Sequence, residues 1–168
     1  MSEVRIKITP QQNQILNSIT HKYTSIPKGR RFGITHAMCL FSIKWLLEKP
    51  RRILWGDTVH GNIERYFDLY IRPVLNQLPK GSWHWDKVYK RLRIINSETN
   101  DCFSEKASFM DFRSADNPMN WEGFGYHYIL LNEAGIILKD PYLYRNAILP
   151  MLLDFQESKL IAFGAPKG

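Results

Sequence analysis

A short apolar strand, a glycine-bearing loop and an apolar helix follow one another between Tyr23 and Glu48. Residues 23–26 have the pattern of a strand, and helical spacing of apolar residues runs over residues 33–48 before Pro50. The loop between them leads into a helix N-terminus, where unpaired backbone N–H groups and the helix dipole attract an anion. A strand that enters a helix through such a loop is typical of an open α/β sheet, with the loop at its carboxyl edge.

The loop reads Lys28-Gly29-Arg30-Arg31-Phe32-Gly33-Ile34-Thr35 and resembles the phosphate-binding pattern G-x-x-x-x-G-K-S/T with its lysine displaced. Gly33 and Thr35 stand at the second glycine and the hydroxyl, Ile34 replaces the usual lysine, and Lys28 stands at the first glycine. We expect the whole segment to hold a nucleotide's phosphates, with Thr35 on Mg²⁺ and Lys28 as the relocated cation. Arg30 and Arg31 are further cations, one of which could act as a catalytic arginine finger in cis.

Strands alternate with helices along the rest of the chain, which predicts a mainly parallel sheet with helices on both faces. Further strands are predicted at residues 52–55, 128–131 and 160–163, and helices at 11–20, 58–77 and 141–153. Pro73 is expected to kink or end the second of these helices. Residues 88–95 and 107–113 are predicted to pair as a hairpin, whereas Trp83-His84-Trp85 is expected to be a loop packed at the sheet edge.

Two more predicted strands end in residues suited to nucleotide hydrolysis. Leu131-Asn132-Glu133-Ala134 resembles the strand of nucleotide hydrolases that ends in Asp-Glu, where the first residue holds Mg²⁺ and the Glu polarises the attacking water. Asn132 keeps a metal-binding oxygen but lacks the charge, so a slow or partner-dependent ATPase is expected. The last strand opens into Gly164-Ala165, which could sense the γ-phosphate.

Together these motifs resemble the N-terminal ATPase domain of the large terminase subunit, the motor that packages DNA into tailed-phage and herpesvirus capsids. The resemblance covers essentially the whole chain and implies a three-layer, RecA-like P-loop fold that binds ATP and Mg²⁺. It implies that Gln12, in Thr9-Pro10-Gln11-Gln12, reads adenine, and that Trp55-Gly56-Asp57-Thr58 is the loop after the second strand. It also implies that Gly164, Ala165, Pro166 and Lys167 couple hydrolysis to motion, and that Glu133 is catalytic.

The same resemblance implies partners and a setting. They are double-stranded DNA, the portal protein, the small terminase subunit and a ring of identical copies, in the cytoplasm of an infected bacterium and away from membranes. A net charge of +7 agrees with a polyanionic partner, and 44% hydrophobic residues agree with one globular domain over residues 1–168. Since the chain stops directly after a predicted strand, we expect a fragment lacking the C-terminal part of the motor and the nuclease domain.

Other interpretations stay open at this point. A helicase-like DNA translocase shares the glutamine motif and the hydrolytic strand, and Ile34 and Asn132 also suit a degenerate nucleotide- or DNA-binding scaffold. Arg113 is a candidate for an arginine finger acting in a neighbouring subunit, with a surface salt bridge as the alternative. Cys39 and Cys102 lack metal-ligand spacing, and Cys39 is expected to be a buried, reduced thiol.

Overall fold

The computed structural model describes residues 5–27, 33–121 and 125–164. Within them, seven strands form one sheet in the order β1-β7-β6-β2-β5-β4-β3. The strands are β1 (Tyr23–Pro27), β2 (Arg52–Asp57), β3 (Trp83–Asp86), β4 (Arg91–Ile94), β5 (Ser108–Ser114), β6 (Tyr128–Asn132) and β7 (Lys159–Gly164). Strands β1, β7, β6, β2 and β5 are parallel, while β4 and β3 extend the sheet in antiparallel pairing. The predicted mainly parallel sheet is confirmed.

The helices cover both faces of this sheet, which gives three layers. They are α1 (Pro10–Ser18), α2 (Ile34–Glu48), α3 (His60–Tyr66), α4 (Arg72–Leu75), α5 (Ala134–Ile137) and α6 (Leu149–Leu153). Residues alternate between faces along each strand: Trp55 and Leu130 pack in a core with α2, whereas Leu54 and Leu131 pack in a second core with α5 and α6. The apolar run that ends at Asn132 is therefore buried on both sides, as its composition predicts.

The helix α2 is the central helix of the first layer, and its sequence explains why. Its buried positions include Met38, Phe41 and Trp45 along one stripe, and also Ala37 and Cys39 beside it. A helix that is apolar around most of its circumference is stable only when neighbours enclose it. This placement sets the N-terminus of α2 at the sheet edge where β1 ends.

The helical segment around Pro73 keeps its direction through the proline. A π-helical turn, Phe67–Ile71, joins α3 to α4, and Pro73 lies in the first turn of α4. Proline cannot donate to the carbonyl four residues back, and a widened turn absorbs the missing hydrogen bond. The predicted distortion is thus found just before Pro73, and the helix ends at Leu75 rather than at the predicted residue 77. A second π-helical turn, Leu143–Ile148, precedes α6.

The prediction of a loop at Trp83-His84-Trp85 is wrong, because these residues form the edge strand β3. Trp83 and Trp85 are half-buried against Phe67, while His84 between them is exposed. That two-residue alternation is the signature of a strand. The predicted strand from residue 88 begins late, at Arg91, since the carboxylate of Asp86 accepts the backbone N–H groups of residues 88 and 89 and closes a turn.

Among the described residues, no helix combines the length and the hydrophobicity needed to cross a bilayer.

Candidate active site

The carboxyl ends of four neighbouring parallel strands meet at one edge of the sheet. β1, β7, β6 and β2 lie side by side in that order and end at Pro27, Gly164, Asn132 and Asp57. Helix α2 begins at the same edge, with Gly33 as its N-cap. Ligands of open α/β sheets bind at this edge. The fold therefore brings the three predicted strand ends together, and it adds the end of β2 to them.

Much of the predicted site lies outside the described residues. This holds for Lys28, Gly29, Arg30, Arg31 and Phe32 of the phosphate loop and for Ala165, Pro166 and Lys167 of the coupling segment. Their roles at the phosphates, in catalysis and in coupling stay predictions.

The described part of the phosphate loop begins at Gly33. This residue has φ +69° and ψ +28°, the left-handed conformation that glycine adopts without strain. Ile34 is buried in the core with 6% of its surface exposed. Its side chain therefore cannot take over the task of the usual lysine, and a phosphate contact from Ile34 would come from its backbone.

Gln12 connects α1 to the start of α2. Its Oε1 accepts the backbone N–H of Thr9 at 3.0 Å while the Thr9 hydroxyl accepts the backbone N–H of Gln12 at 3.1 Å, which completes a capping box. The other end of the amide, Nε2, donates to the carbonyl of Gly33 at 3.3 Å. Gln12 is buried, with 7% of its surface exposed. The residue predicted to read adenine thus lies against the described end of the phosphate loop.

Thr35, Asn132 and Asp57 form a hydrogen-bonded chain from α2 to β2. The Thr35 hydroxyl donates to Asn132 Oδ1 at 3.4 Å, and Asn132 Nδ2 donates to Asp57 Oδ2 at 3.0 Å. Asn132 is 1% exposed and Asp57 is wholly buried. The two residues predicted to hold Mg²⁺ are therefore within hydrogen-bonding distance of each other, although their roles as ligands stay predictions.

Asp57 is a site residue that the sequence pattern did not single out, since the pattern placed it only in a loop after the second strand. Its carboxylate also accepts hydrogen bonds from Trp55 Nε1 at 3.1 Å, the Thr58 backbone N–H at 2.8 Å and Asn62 Nδ2 at 3.2 Å. Strand β2 runs two residues further than predicted and carries Asp57 to the sheet edge. The available signal was an aspartate at the end of an apolar strand, the same signal that identified Glu133.

Glu133 and Gly164 are in direct backbone contact at the ends of β6 and β7. Glu133 has φ +55° and ψ +48°, a left-handed conformation that is costly for a residue with a side chain. A Cβ atom on Gly164 would lie 2.9 Å from Glu133 N, closer than packed atoms approach. The sharp turn at Glu133 ends β6 and leaves its side chain half-buried at the site. Strain of this kind is concentrated at functional sites.

The donor set at this edge fits Mg²⁺. Among the described residues, no cluster of three or more His, Cys, Asp or Glu side chains is arranged to hold a metal ion. Mg²⁺ needs no such cluster, since it binds oxygen, keeps several waters and takes one or two protein ligands beside a substrate's phosphates. The Thr35 hydroxyl and the Asn132 Oδ1 supply two oxygens 3.4 Å apart.

Two side chains on α2 have pKa values set by their surroundings. Burial raises the pKa of the Cys39 thiol well above its ordinary value, and the charge of Asp57 raises it further. Cys39 is fully buried and forms no disulfide, as predicted. Burial lowers the pKa of His36, which stacks on Tyr70 with the ring centroids 4.4 Å apart. His36 is therefore a packing residue.

Arg113 is held by backbone carbonyls more than by a salt bridge. Its guanidinium donates to the carbonyls of Asn120, Tyr89 and Phe112 at 3.0, 3.1 and 2.9 Å, and it lies 3.8 Å from the Asp111 carboxylate. Its side chain is 17% exposed. In this arrangement Arg113 is committed to its own chain, so its assignment as a finger in a neighbouring subunit stays a prediction that would require these bonds to break.

The comparison with known proteins gives a match at the level of structure. No protein-family model matches the sequence, and neither does a curated protein sequence. The large terminase ATPase domain of Thermus phage P74-26 superposes with a TM-score of 0.78 at 20% identity, covering 96% of this chain and 66% of that one. The large terminase of bacteriophage HK97 gives a TM-score of 0.74 at 15% identity, covering 95% of this chain and 33% of that one.

A third match was solved with a nucleotide. The large terminase of a thermophilic bacteriophage, in complex with ADP, has a TM-score of 0.60 at 17% identity and covers 95% of this chain and 39% of its own. These likenesses confirm the predicted fold class, a RecA-like α/β ATPase fold. More narrowly, the chain has the fold of the ATPase domain of phage large terminases, and it spans 66% of the Thermus phage domain and 33% of the HK97 protein.

Proposed function

We propose that this chain is the ATPase domain of a phage large terminase and that it hydrolyses ATP to drive double-stranded DNA into a capsid. The observation that carries the proposal is the meeting of Thr35, Asn132, Glu133 and Gly164 at one edge of a sheet with this fold. The hydroxyl, the metal-binding position, the water-activating carboxylate and the contact between strand ends are the parts that phosphoryl transfer requires.

The nucleotide binds along the N-terminus of α2. Gly33 and the first turn of α2 direct backbone N–H groups at the phosphates, and Lys28 with Arg30 and Arg31 adds positive charge there. Gln12, next to Gly33, lies on the side where the base is expected. The terminase of the thermophilic bacteriophage, which shares this fold, has been solved with ADP and with ATP-gamma-S.

Hydrolysis takes place at the end of β6. When bound, Mg²⁺ neutralises charge on the phosphate oxygens; Thr35 and Asn132 are the residues that would hold it. The Glu133 carboxylate orients a water and accepts its proton as the water oxygen attacks the γ-phosphorus and the bond to the β-phosphate oxygen breaks. Because Asn132 is uncharged, turnover is slow or depends on partners.

The contact between Glu133 and Gly164 gives the coupling segment its role. Gly164 abuts the backbone of the proposed water-activating residue, so a change in Glu133 during hydrolysis moves the end of β7. Ala165, Pro166 and Lys167 would carry that movement onward. In the assembled motor this domain acts in a ring of identical copies, with the portal protein, the small terminase subunit and a nuclease domain, in the cytoplasm of an infected bacterium.

ATP turnover by the Glu133→Gln variant tests this proposal. We expect turnover to fall by a factor on the order of 10²–10⁴, because the amide can position water but cannot accept its proton. Glu157→Gln is the matched control: it removes the same charge at an exposed position next to β7, at the opposite edge of the sheet, and should leave turnover unchanged.

Two further results would decide between motor and scaffold. Equal background rates in wild type and Glu133→Gln, under conditions where the fluorescent analogue mant-ATP binds, would favour a nucleotide-binding scaffold without turnover. Unchanged affinity and turnover in Lys28→Ala would contradict the relocated cation. Stimulation of turnover by double-stranded DNA is the result expected of the packaging motor.

A further inference from the structure

A buried carboxylate stands directly behind the residue that lacks one. Asp57 is fully buried and 3.0 Å from the Asn132 amide, at the end of the strand next to β6. Its other donors are the Trp55 indole, the Thr58 backbone and the Asn62 amide, and all of these groups are neutral. Within the described part of the chain no lysine or arginine forms an ion pair with Asp57. A buried charge of this kind is costly unless a cation lies nearby.

The Asp57 carboxylate determines which way the Asn132 amide points. An ionised carboxylate can only accept hydrogen bonds, so Asn132 can bind it only through the amide nitrogen. The amide oxygen must then face the opposite way, which is toward the Thr35 hydroxyl. If Asn132 turned over, two acceptor oxygens would face each other in a buried space. A negative charge behind the amide nitrogen also polarises the amide and makes its oxygen a better ligand for a cation.

We propose that Asp57 is a positioning residue of the Mg²⁺–nucleotide site, which orients and polarises Asn132 and so replaces the charge that an aspartate at position 132 would supply. The inference rests on the proposed function, since it deepens the account of the same site. Asp57 acts through Asn132 and not as a direct ligand, because its own oxygens already accept four hydrogen bonds.

The test compares the affinity for mant-ATP in MgCl₂ with the affinity in EDTA. The ratio of the two affinities measures how much Mg²⁺ contributes and does not depend on turnover. We expect Asp57→Asn to lower this ratio by roughly 10- to 100-fold, the range found when partners behind metal ligands are removed. The reason is that the new amide no longer forces the Asn132 oxygen toward Thr35.

Asp111→Asn is the matched control for burial. Asp111 lies on β5, is equally buried and pairs with Arg91, but it sits in the middle of the sheet and away from the edge. Its replacement should lower the midpoint of thermal unfolding and leave the Mg²⁺ ratio within about twofold of wild type. A purely structural role for Asp57 would make Asp57→Asn behave in the same way.

The double variant Asp57→Asn with Asn132→Asp keeps the test decisive if the single variant is unstable. It retains one acid and one amide in contact, with the acid moved to the cation side, and should restore the Mg²⁺ ratio to the wild-type value or above. A double variant that shows no Mg²⁺ effect, or a wild-type ratio in folded Asp57→Asn, would overturn the inference while leaving the proposed function intact. Absence of mant-ATP binding to the wild type would overturn both.

Discussion

Gly164 lies against the backbone of Glu133, where the last two parallel strands of the site end side by side. A Cβ atom on Gly164 would lie 2.9 Å from Glu133 N and 3.0 Å from Glu133 Cα. Gly164 also has φ +121°, a conformation that residues with side chains rarely adopt. The contact therefore depends on glycine, and it joins the proposed coupling segment to the proposed catalytic carboxylate.

Replacing Gly164 by alanine should disturb both stability and turnover. We expect a loss of roughly 1–3 kcal/mol in the free energy of unfolding, because the new methyl group must push the Glu133 backbone away and the backbone is strained. Urea denaturation measures the loss. Gly135→Ala is the control, since a Cβ there meets open space in α5 and should be neutral or slightly stabilising. Equal stabilities for the two variants would contradict the contact.

The left-handed conformation of Glu133 should have a measurable cost. Glu133→Gly and Glu133→Ala both remove the carboxylate, but only glycine adopts φ +55° without strain. We expect the glycine variant to be more stable than the alanine variant by about 1 kcal/mol in denaturation experiments, with turnover lost in both. A glycine variant less stable than the alanine variant would show that the backbone at Glu133 is unstrained.

The two ends of the Gln12 amide can be separated by substitution. Gln12→Glu keeps an oxygen for the Thr9 N–H but places an acceptor against the Gly33 carbonyl, so we expect weaker mant-ATP binding and lower stability. Thr9→Ala removes the cap and keeps the bond to Gly33. It should cost about 1 kcal/mol of stability and leave nucleotide affinity unchanged. Equal losses of affinity in both variants would assign Gln12 to helix capping alone.

His127 should make stability depend on pH. Burial and then the charges of Arg52 and Arg51 lower the pKa of His127, whose Nδ1 accepts the Arg52 backbone N–H at 3.0 Å. The unfolded chain therefore binds a proton that the folded chain refuses. The stability from neutral His127 is fully present above the unfolded pKa of about 6.5 and is lost as pH falls through the lower folded pKa.

The His127→Asn variant isolates this contribution, because the asparagine oxygen can still accept the Arg52 N–H but does not titrate. Urea unfolding between about pH 7.5 and pH 5 should show a shallower decline for the variant than for wild type. His36, whose pKa burial also lowers, adds a decline common to both proteins. Parallel curves would exclude His127 as a source of the pH dependence.

The sequence by itself determined those features that depend on neighbouring residues. The apolar run ending at Asn132 predicts a strand buried on both faces, and Thr9 three residues before Gln12 predicts a capped helix; the structure has both. The glycine-bearing entry to α2 is likewise a local pattern. Where two local patterns compete, the prediction was wrong: the aromatic residues from Trp83 to Trp85 read as a loop until a paired neighbour, β4, makes them an edge strand.

Only the tertiary structure decided the composition of the candidate site. Asp57 and Asn132 are 75 positions apart, and their contact exists because β2 and β6 are parallel neighbours in the sheet. The contact between Glu133 and Gly164 follows in the same way from β6 lying beside β7. Periodicity along a chain reports the environment of each segment, whereas the order of strands is set by how all the segments pack together. A carboxylate that acts through a neighbouring strand is therefore found only in the folded molecule.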